Sequence, residues 1–246
     1  MFGVNVMISI AMAAFNGERY IKMQLDSVFP QISSKDEVVV SLDPSKDSTL
    51  QILKEYQSKD NRLKILEGPS KGIVKNFENA IKNCKGDYIF LCDQDDVWSP
   101  SKIETVVNEF KRDPNIVLVI HDALITDDKL NIVYESFFEK NDSRGGKLKN
   151  IIKNSYIGCC MIFKKELKPN ILPFPENLPM HDQWIGLVAE FKGKVKFLNA
   201  PLIKYRRHSL TATNNIHANF LQMLRWRYSI LKSLISHIPG LKIKKN

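Results

Sequence analysis

Acidic residues are missing from the end of this 246-residue chain. Residues 191–246 carry 12 Lys and Arg and no Asp or Glu, while residues 1–190 hold 24 basic and 27 acidic residues. A near-neutral body thus ends in a basic segment. That suits an anionic neighbour such as nucleic acid, a membrane surface or a phosphorylated substrate, although a solvated face with no partner produces the same asymmetry. Long hydrophobic runs are also absent, and no stretch approaches the roughly 20 apolar residues that span a bilayer. The apolar start, residues 1–15, has no basic leader and runs into Asn16-Gly17. It reads as a core strand, not a signal peptide. Cysteine is scarce: Cys84, Cys92, Cys159 and Cys160 include one adjacent pair, and none has zinc-ligand spacing. Reduced thiols in a cytosolic protein follow. No repeat and no Gly/Ser- or Pro-rich linker divides the chain. What remains, 43% hydrophobic and 26% charged residues, is globular composition, long enough to bury a core without disulfide or metal staples.

Four short, β-branched apolar runs, at 4–14, 37–42, 63–66 and 88–92, predict strands. Helical patterns at 18–29, 48–59 and 73–84 lie between them, with Leu25, Leu53 and Phe77 on their apolar faces. Alternation of this kind predicts a doubly wound α/β domain, with ligands beyond the carboxyl ends of the strands. After Pro100 the pattern loosens. A helix is expected over 101–112, strands over 116–120, 156–163 and 195–198, and a short helix over 182–191. Residues 127–150 are polar and read as a mobile loop around Arg144-Gly145-Gly146-Lys147. A mixed sheet is expected on this side.

Chemistry is sought at the strand ends. The first ends at Ala13-Ala14-Phe15-Asn16-Gly17, where small residues admit a flat ligand and Phe15 either stacks on a base or fills the core. The second ends in Asp43-Pro44-Ser45-Lys46-Asp47-Ser48. Asp47 or Ser48 serves as an N-cap, which leaves Asp43 over. The fourth runs into Asp93-Gln94-Asp95-Asp96, three carboxylates in four residues with apolar flanks. Their repulsion is relieved by Mg²⁺ or Mn²⁺, which keep open positions for phosphates. A solvated acidic turn is the plainer alternative. Further on, Asp182 in Met180-His181-Asp182-Gln183-Trp184 is either an N-cap or a general base. In Tyr205-Arg206-Arg207-His208 the guanidinium groups suit a diphosphate and the imidazole suits a metal.

These segments, in this order from about residue 6 to residue 213, resemble family 2 glycosyltransferases, inverting nucleotide-sugar enzymes of the GT-A fold. Ala-Phe-Asn-Gly, Asp-x-Ser-x-Asp-Ser-Thr and Phe-Leu-x-Asp-Gln-Asp-Asp-Val-Trp carry the resemblance. Lys71-Gly72-Ile73-Val74-Lys75-Asn76-Phe77, Gly158-Cys159-Cys160-Met161, His-Asp-x-Trp and Tyr-Arg-x-His are similar to a bacterial subgroup of rhamnosyltransferases and related enzymes of cell-surface polysaccharide synthesis. The resemblance implies a GT-A domain over residues 1–213: a Rossmann-like, mixed, mainly parallel sheet flanked by helices. It implies a nucleotide site at Ala13, Phe15, Asn16, Asp43, Asn76 and Asp93, and donor-sugar or diphosphate contacts from Gln94, Asp96, Arg206 and Arg207. It implies Mn²⁺ or Mg²⁺ on Asp93, Asp95 and His208, and Asp182 as catalytic base. Family members often end the second strand with two acidic residues. Here the first is Leu42, which leaves Asp43 as the single candidate, and Pro44 stiffens its loop.

The implied function is metal-dependent transfer of a sugar, rhamnose from dTDP-rhamnose first, to a hydroxyl of a lipid-linked glycan. A UDP-hexose or UDP-N-acetylhexosamine donor is the alternative, and a non-catalytic module for anionic ligands the remote one. No nucleic-acid partner is expected, because the acidic cluster would repel phosphates without metal. Oligomeric state stays open. Residues 214–246 read as a basic amphipathic helical tail, with a helix over 216–235. Phe220, Leu221, Leu224, Tyr228, Leu231, Leu234 and Ile235 form its apolar face. It either packs on the domain or lies on an anionic membrane. The expected location is cytoplasmic, with a peripheral seat at the inner face of the plasma membrane.

Overall fold

Seven consecutive buried residues make the first strand, β1 (Ile8–Ala14). A strand reads this way when both faces of its sheet are covered. The computed structural model describes residues 6–176, 178–208 and 220–237, without the side chains of residues 220 and 221. Residues 4 and 5 of the expected first strand lie outside the described residues, as do 209–213 of the expected domain and 214–219 and 238–246 of the expected tail. The alternation continues through α1 (Ile21–Val28), β2 (Glu37–Leu42), α2 (Thr49–Lys59), β3 (Leu63–Glu67), α3 (Gly72–Asn83) and β4 (Tyr88–Asp93). These four strands are parallel, in the order β3-β2-β1-β4. The chain reverses direction of growth at β1, so a crevice opens beyond its end. Register sets the crevice walls: Ala13 pairs with Ser41 on one side and Asp93 on the other. Ser48 makes no cap bond to α2; the Asp47 carboxylate accepts from Thr49 N instead, at 3.1 Å.

The second half adds β5 (Val97–Trp98), α4 (Lys102–Arg112), β6 (Ile116–Thr126), β7 (Ile132–Tyr134), α5 (Phe137–Asn141), α6 (Lys147–Ile152), β8 (Met161–Lys164), α7 (Lys168–Ile171), α8 (His181–Lys192), β9 (Lys194–Arg206) and α9 (Phe220–His237). The sheet becomes mixed here. β8 runs antiparallel between β4 and β6, β9 lies parallel to β6, and β5 closes the far edge. Several expectations are corrected. β6 and β9 run well past the apolar stretches that predicted them, because they pair with each other as far as Thr126 and Arg206. Residues 158–160 form a 3₁₀ turn rather than strand. The polar stretch 127–150 holds β7, α5 and most of α6. Asp122 and Ser136 organise it: the Asp122 carboxylate accepts from Phe138 N and from the Ser136 hydroxyl, and Ser136 caps α5. The C-terminal helix runs Phe220–His237 and seats on the domain through Ile230 and Leu234, which join the core. Leu224, Tyr228, Leu231 and Ile235, expected on the same apolar face, point outward. No helix among the described residues is long and apolar enough to cross a membrane.

Candidate active site

A cleft of about 780 Å³ opens beyond the ends of β1, β2 and β4 and is closed on the other side by the start of α8 and the end of β9. On the β1 side its walls are held by main chain. Ala14 O accepts from Asp43 N at 2.9 Å and from Asn76 Nδ2 at 3.1 Å. Ser70 N donates to Asp43 Oδ1 at 2.9 Å, which fixes a buried carboxylate against the cleft. Gly68 makes this approach feasible, since a Cβ there would stand 2.4 Å from Asp43 Oδ1. Asn76 Oδ1 is buried without a partner and faces the same space. Phe15 lines the cleft with 53% of its surface exposed, too much for a core aromatic and suited to stacking.

Gln94 and Asn16 both hold the loops at the mouth of the cleft. The Gln94 amide clasps Phe15, accepting from its N at 2.9 Å and donating to its O at 2.8 Å. One N–H and one lone pair of the amide hold the loop, and Gln94 also lines the cleft. Asn16 takes a left-handed backbone (φ 46°) and its Oδ1 accepts from Lys46 N, so it ties the 44–46 loop from outside the cleft lining.

The acidic cluster divides in two. Asp93 and Asp95 line the cleft, and Asp95 Oδ2 lies 2.8 Å from His208 Nε2. Asp96 turns inward, 1% exposed; its carboxylate accepts from Arg206 N at 3.0 Å and leaves Oδ2 unpartnered. Asp93, Asp96 and Cys159 each place a ligand-type atom within 4.8 Å of the others. Arg206 is likewise a buried strut. Its guanidinium donates to the carbonyls of Asp95 and Asp128 and lies over the Tyr20 ring at 4.7 Å. Asp96 and Arg206, expected at the sugar and diphosphate, are held by backbone partners and lie outside the cleft lining, whereas Arg207 lines it.

Burial pushes the Asp93 carboxyl up to about 7, aided by the charges of Asp95 and Asp182. Burial raises Asp96 well above the carboxylate range, again with like charges adding. Lys102 opposes this from behind the cluster. It is fully buried, donates to Cys159 O at 3.0 Å and stands 3.9 Å from the centre of the Trp98 ring. Sequence reasoning missed it, although it occupies the apolar phase of α4 shared by Val106 and Phe110. Asp93 and Asp95 on the cleft, with the His208 imidazole beside Asp95, are donor types that suit a hard divalent cation.

Asp182 sits in the first turn of α8 but is not its cap, which is Met180. Asp182 Oδ1 accepts from Gln183 N at 2.6 Å and Asn154 Nδ2 at 3.1 Å. Burial nevertheless pushes the carboxyl up to about 6, a value suited to a general base near neutrality. Beside it His181, to which sequence reasoning gave no role, lines the cleft and stacks on Phe77 at 4.2 Å. Neither ring nitrogen has a partner, and burial pushes its pKa down to about 3. Trp184 anchors the helix by donating to Ile171 O at 2.9 Å.

The model of the family described as glycosyl transferase family 2 matches residues 9–171. The chain belongs to that family. An uncharacterized glycosyltransferase of Rickettsia typhi is 30% identical over 218 residues, covering 85% of this chain and 66% of the relative. A chondroitin synthase of Escherichia coli is 32% identical over 113 residues, 46% of this chain and 16% of that one. This family 2 chain therefore spans less than two thirds of either relative. Among solved structures, S. aureus TarS 1-349 in complex with UDP-GlcNAc superposes with a TM-score of 0.74 at 21% identity, covering 96% of this chain and 68% of that one. Glucosyl-3-phosphoglycerate synthase from Mycobacterium tuberculosis, in complex with Mn²⁺, UDP and phosphoglyceric acid, gives 0.60 at 17% identity, with 96% and 80% covered. The fold of this family 2 chain is the GT-A fold.

Proposed function

We propose that this chain is an inverting glycosyltransferase that moves a sugar from a pyrimidine nucleoside diphosphate to an acceptor hydroxyl. The observation that carries the reading is the convergence of Asp43, Asp93, Asp95 and Asp182 on one cleft. Phe15 and Asp43 face the space a base would fill. The Asp43 carboxylate accepts from the N3–H of uracil or thymine, while Phe15 offers a ring to stack on. Asp93, Asp95 and His208 would hold Mn²⁺ or Mg²⁺, which supplies positive charge against a diphosphate. Arg207 adds a cation at the cleft wall. On the far side Asp182, ionised near neutral pH, removes the acceptor proton as the bond from sugar to phosphate breaks, and no covalent intermediate is required.

A UDP-linked hexose or N-acetylhexosamine is the first donor reading, supported by the UDP-GlcNAc complex of TarS and the UDP complex of the mycobacterial synthase. dTDP-rhamnose, implied by the motifs shared with rhamnosyltransferases, is the second. A hydroxyl of a lipid-linked saccharide is the acceptor reading, with the chain at the cytoplasmic face of the membrane. Calorimetry with UDP, dTDP and GDP, each with Mn²⁺, Mg²⁺ or EDTA, tests this. The expected outcome is cation-dependent binding of UDP or dTDP over GDP, with cation dependence lost in Asp95→Ala. Equal binding of GDP would remove Asp43 from the base contact. Absence of any nucleotide binding would turn the reading to a non-catalytic module for anionic ligands.

A further inference from the structure

Helix α9 has two apolar stripes and uses only one to fold. Ile230 and Leu234 are buried against the domain, whereas Leu224, Tyr228, Leu231 and Ile235 face outward at spacings of four, three and four residues. The neighbouring α6 repeats the pattern, exposing Leu148 (78%) and Ile152 (62%) one turn apart. The helices are joined: the Arg227 guanidinium donates to Ile152 O at 2.7 and 3.2 Å. Neither helix contains an acidic residue, and Lys147, Lys153, Arg225 and Lys232 stand exposed on or beside them. Of the neighbouring acids, Asp142 is taken up by Arg144 and Lys149, and Glu190 accepts from Gly146 N and the Tyr156 hydroxyl.

We infer that α6 and α9 together form a docking face for an anionic bilayer. Outward Leu, Ile and Tyr side chains suit the boundary between headgroups and acyl chains, and the surrounding Lys and Arg suit anionic lipid. A second copy of the chain on the same face would bring these cations against their own counterparts. The face also shares supports with the candidate base. Gln183 Nε2 donates to Asn150 O of α6 at 2.6 Å, and Asn154, two residues beyond Ile152, holds Asp182. His237 of α9 packs edge-on to Trp184 of α8 at 5.2 Å. A bilayer under α6 and α9 would thus lie against the supports of the acceptor side of the cleft. This last step rests on the transferase reading, whereas the membrane contact does not.

Flotation of the full chain tests the inference, with phosphatidylcholine vesicles with and without phosphatidylglycerol. The protein should rise with the anionic vesicles, lose binding in high salt and stay down with phosphatidylcholine alone. Replacing Leu148, Ile152 and Leu231 by Ser should lower the bound fraction about tenfold. The pair Arg225→Glu and Lys232→Glu should do the same. All three apolar sites are exposed, so UDP binding with Mn²⁺ should be unchanged and reports folding separately. No flotation, or flotation unaffected by either set, would overturn the inference. So would a dimer, seen by light scattering, that the Ser variant dissolves. Failure of nucleotide binding with flotation intact would strike the transferase reading and leave the membrane face standing.

Discussion

On the β1–β4 side of the cleft, side chains are fastened to backbone. Asp43 is held by Ser70 N, Asn76 by Ala14 O, and Phe15 by both ends of the Gln94 amide. On the α8 side, groups are buried but only partly satisfied. His181 has no partner on either nitrogen, and Asp182 keeps a raised pKa despite two donors. The first arrangement suits recognition, because preorganised donors and acceptors bind a ligand without losing further freedom. The second suits proton transfer, because a carboxylate poised near neutral pH both loses and gains a proton at working pH. The same sheet supports both: parallel strands with uniform register give a rigid wall, while beyond the mixed half His181 and Asp182 stand in the first turn of α8.

The sharpest way to break this contrast is Asp182→Asn. It keeps shape and removes the carboxylate proposed as base. Sugar transfer should fall by roughly 10²–10⁴-fold, while Mn²⁺-dependent UDP binding, measured by calorimetry, stays near wild type. Turnover near that of the parent would place proton removal elsewhere and dissolve the division of labour.

Gln94→Ala probes the opposite wall and should have a smaller effect. It frees both backbone groups of Phe15, each bond contributing about 1 kcal/mol. Donor KM should therefore rise by up to about thirtyfold, with kcat much less affected. A fall in kcat at unchanged KM would mean that Gln94 serves the chemistry rather than the loop.

The two halves also differ in how far residue order discloses them. β-branched runs ending in small or acidic residues place Ala13, Asp43 and Asp93 at strand tips without a structure, because a parallel core strand is apolar throughout and its polar residues fall at the ends. Asp96 and Arg206 could not be read this way. Their partnership spans 110 positions and runs through the Arg206 backbone N–H, which no side-chain pattern signals. Lys102 was hidden because lysine in an apolar phase reads as a surface residue until its partner, the Cys159 carbonyl, is seen. The polar stretch containing α6 concealed a helix for a related reason. Leu148 and Ile152 face solvent, so the core-facing periodicity that announces a helix is missing. Likewise α9 has apolar residues on two sides, and sequence periodicity alone merges them into one face.

The smallest expected effect isolates what holds Asp182 at its value. Burial pushes its carboxyl up to about 6, and the hydrogen bonds from Gln183 N and Asn154 Nδ2 pull it back. The proposed base works ionised, so transfer should rise with pH through about 6 and then level. Asn154→Leu removes a donor that favours the ionised form. The rising limb should move to higher pH, by up to about one unit if the bond to charge contributes about 1.5 kcal/mol. Stability should follow with a defined sign. The folded-state pKa lies above the ordinary 3.8, so the protonated carboxyl favours the fold. That contribution is complete below 3.8 and lost as pH rises through about 6. Melting temperatures across this window should fall less steeply in Asp182→Asn than in the parent, and in Asn154→Leu the loss should extend to higher pH. A limb that stays in place in Asn154→Leu would assign the tuning of Asp182 to burial and the α8 backbone alone.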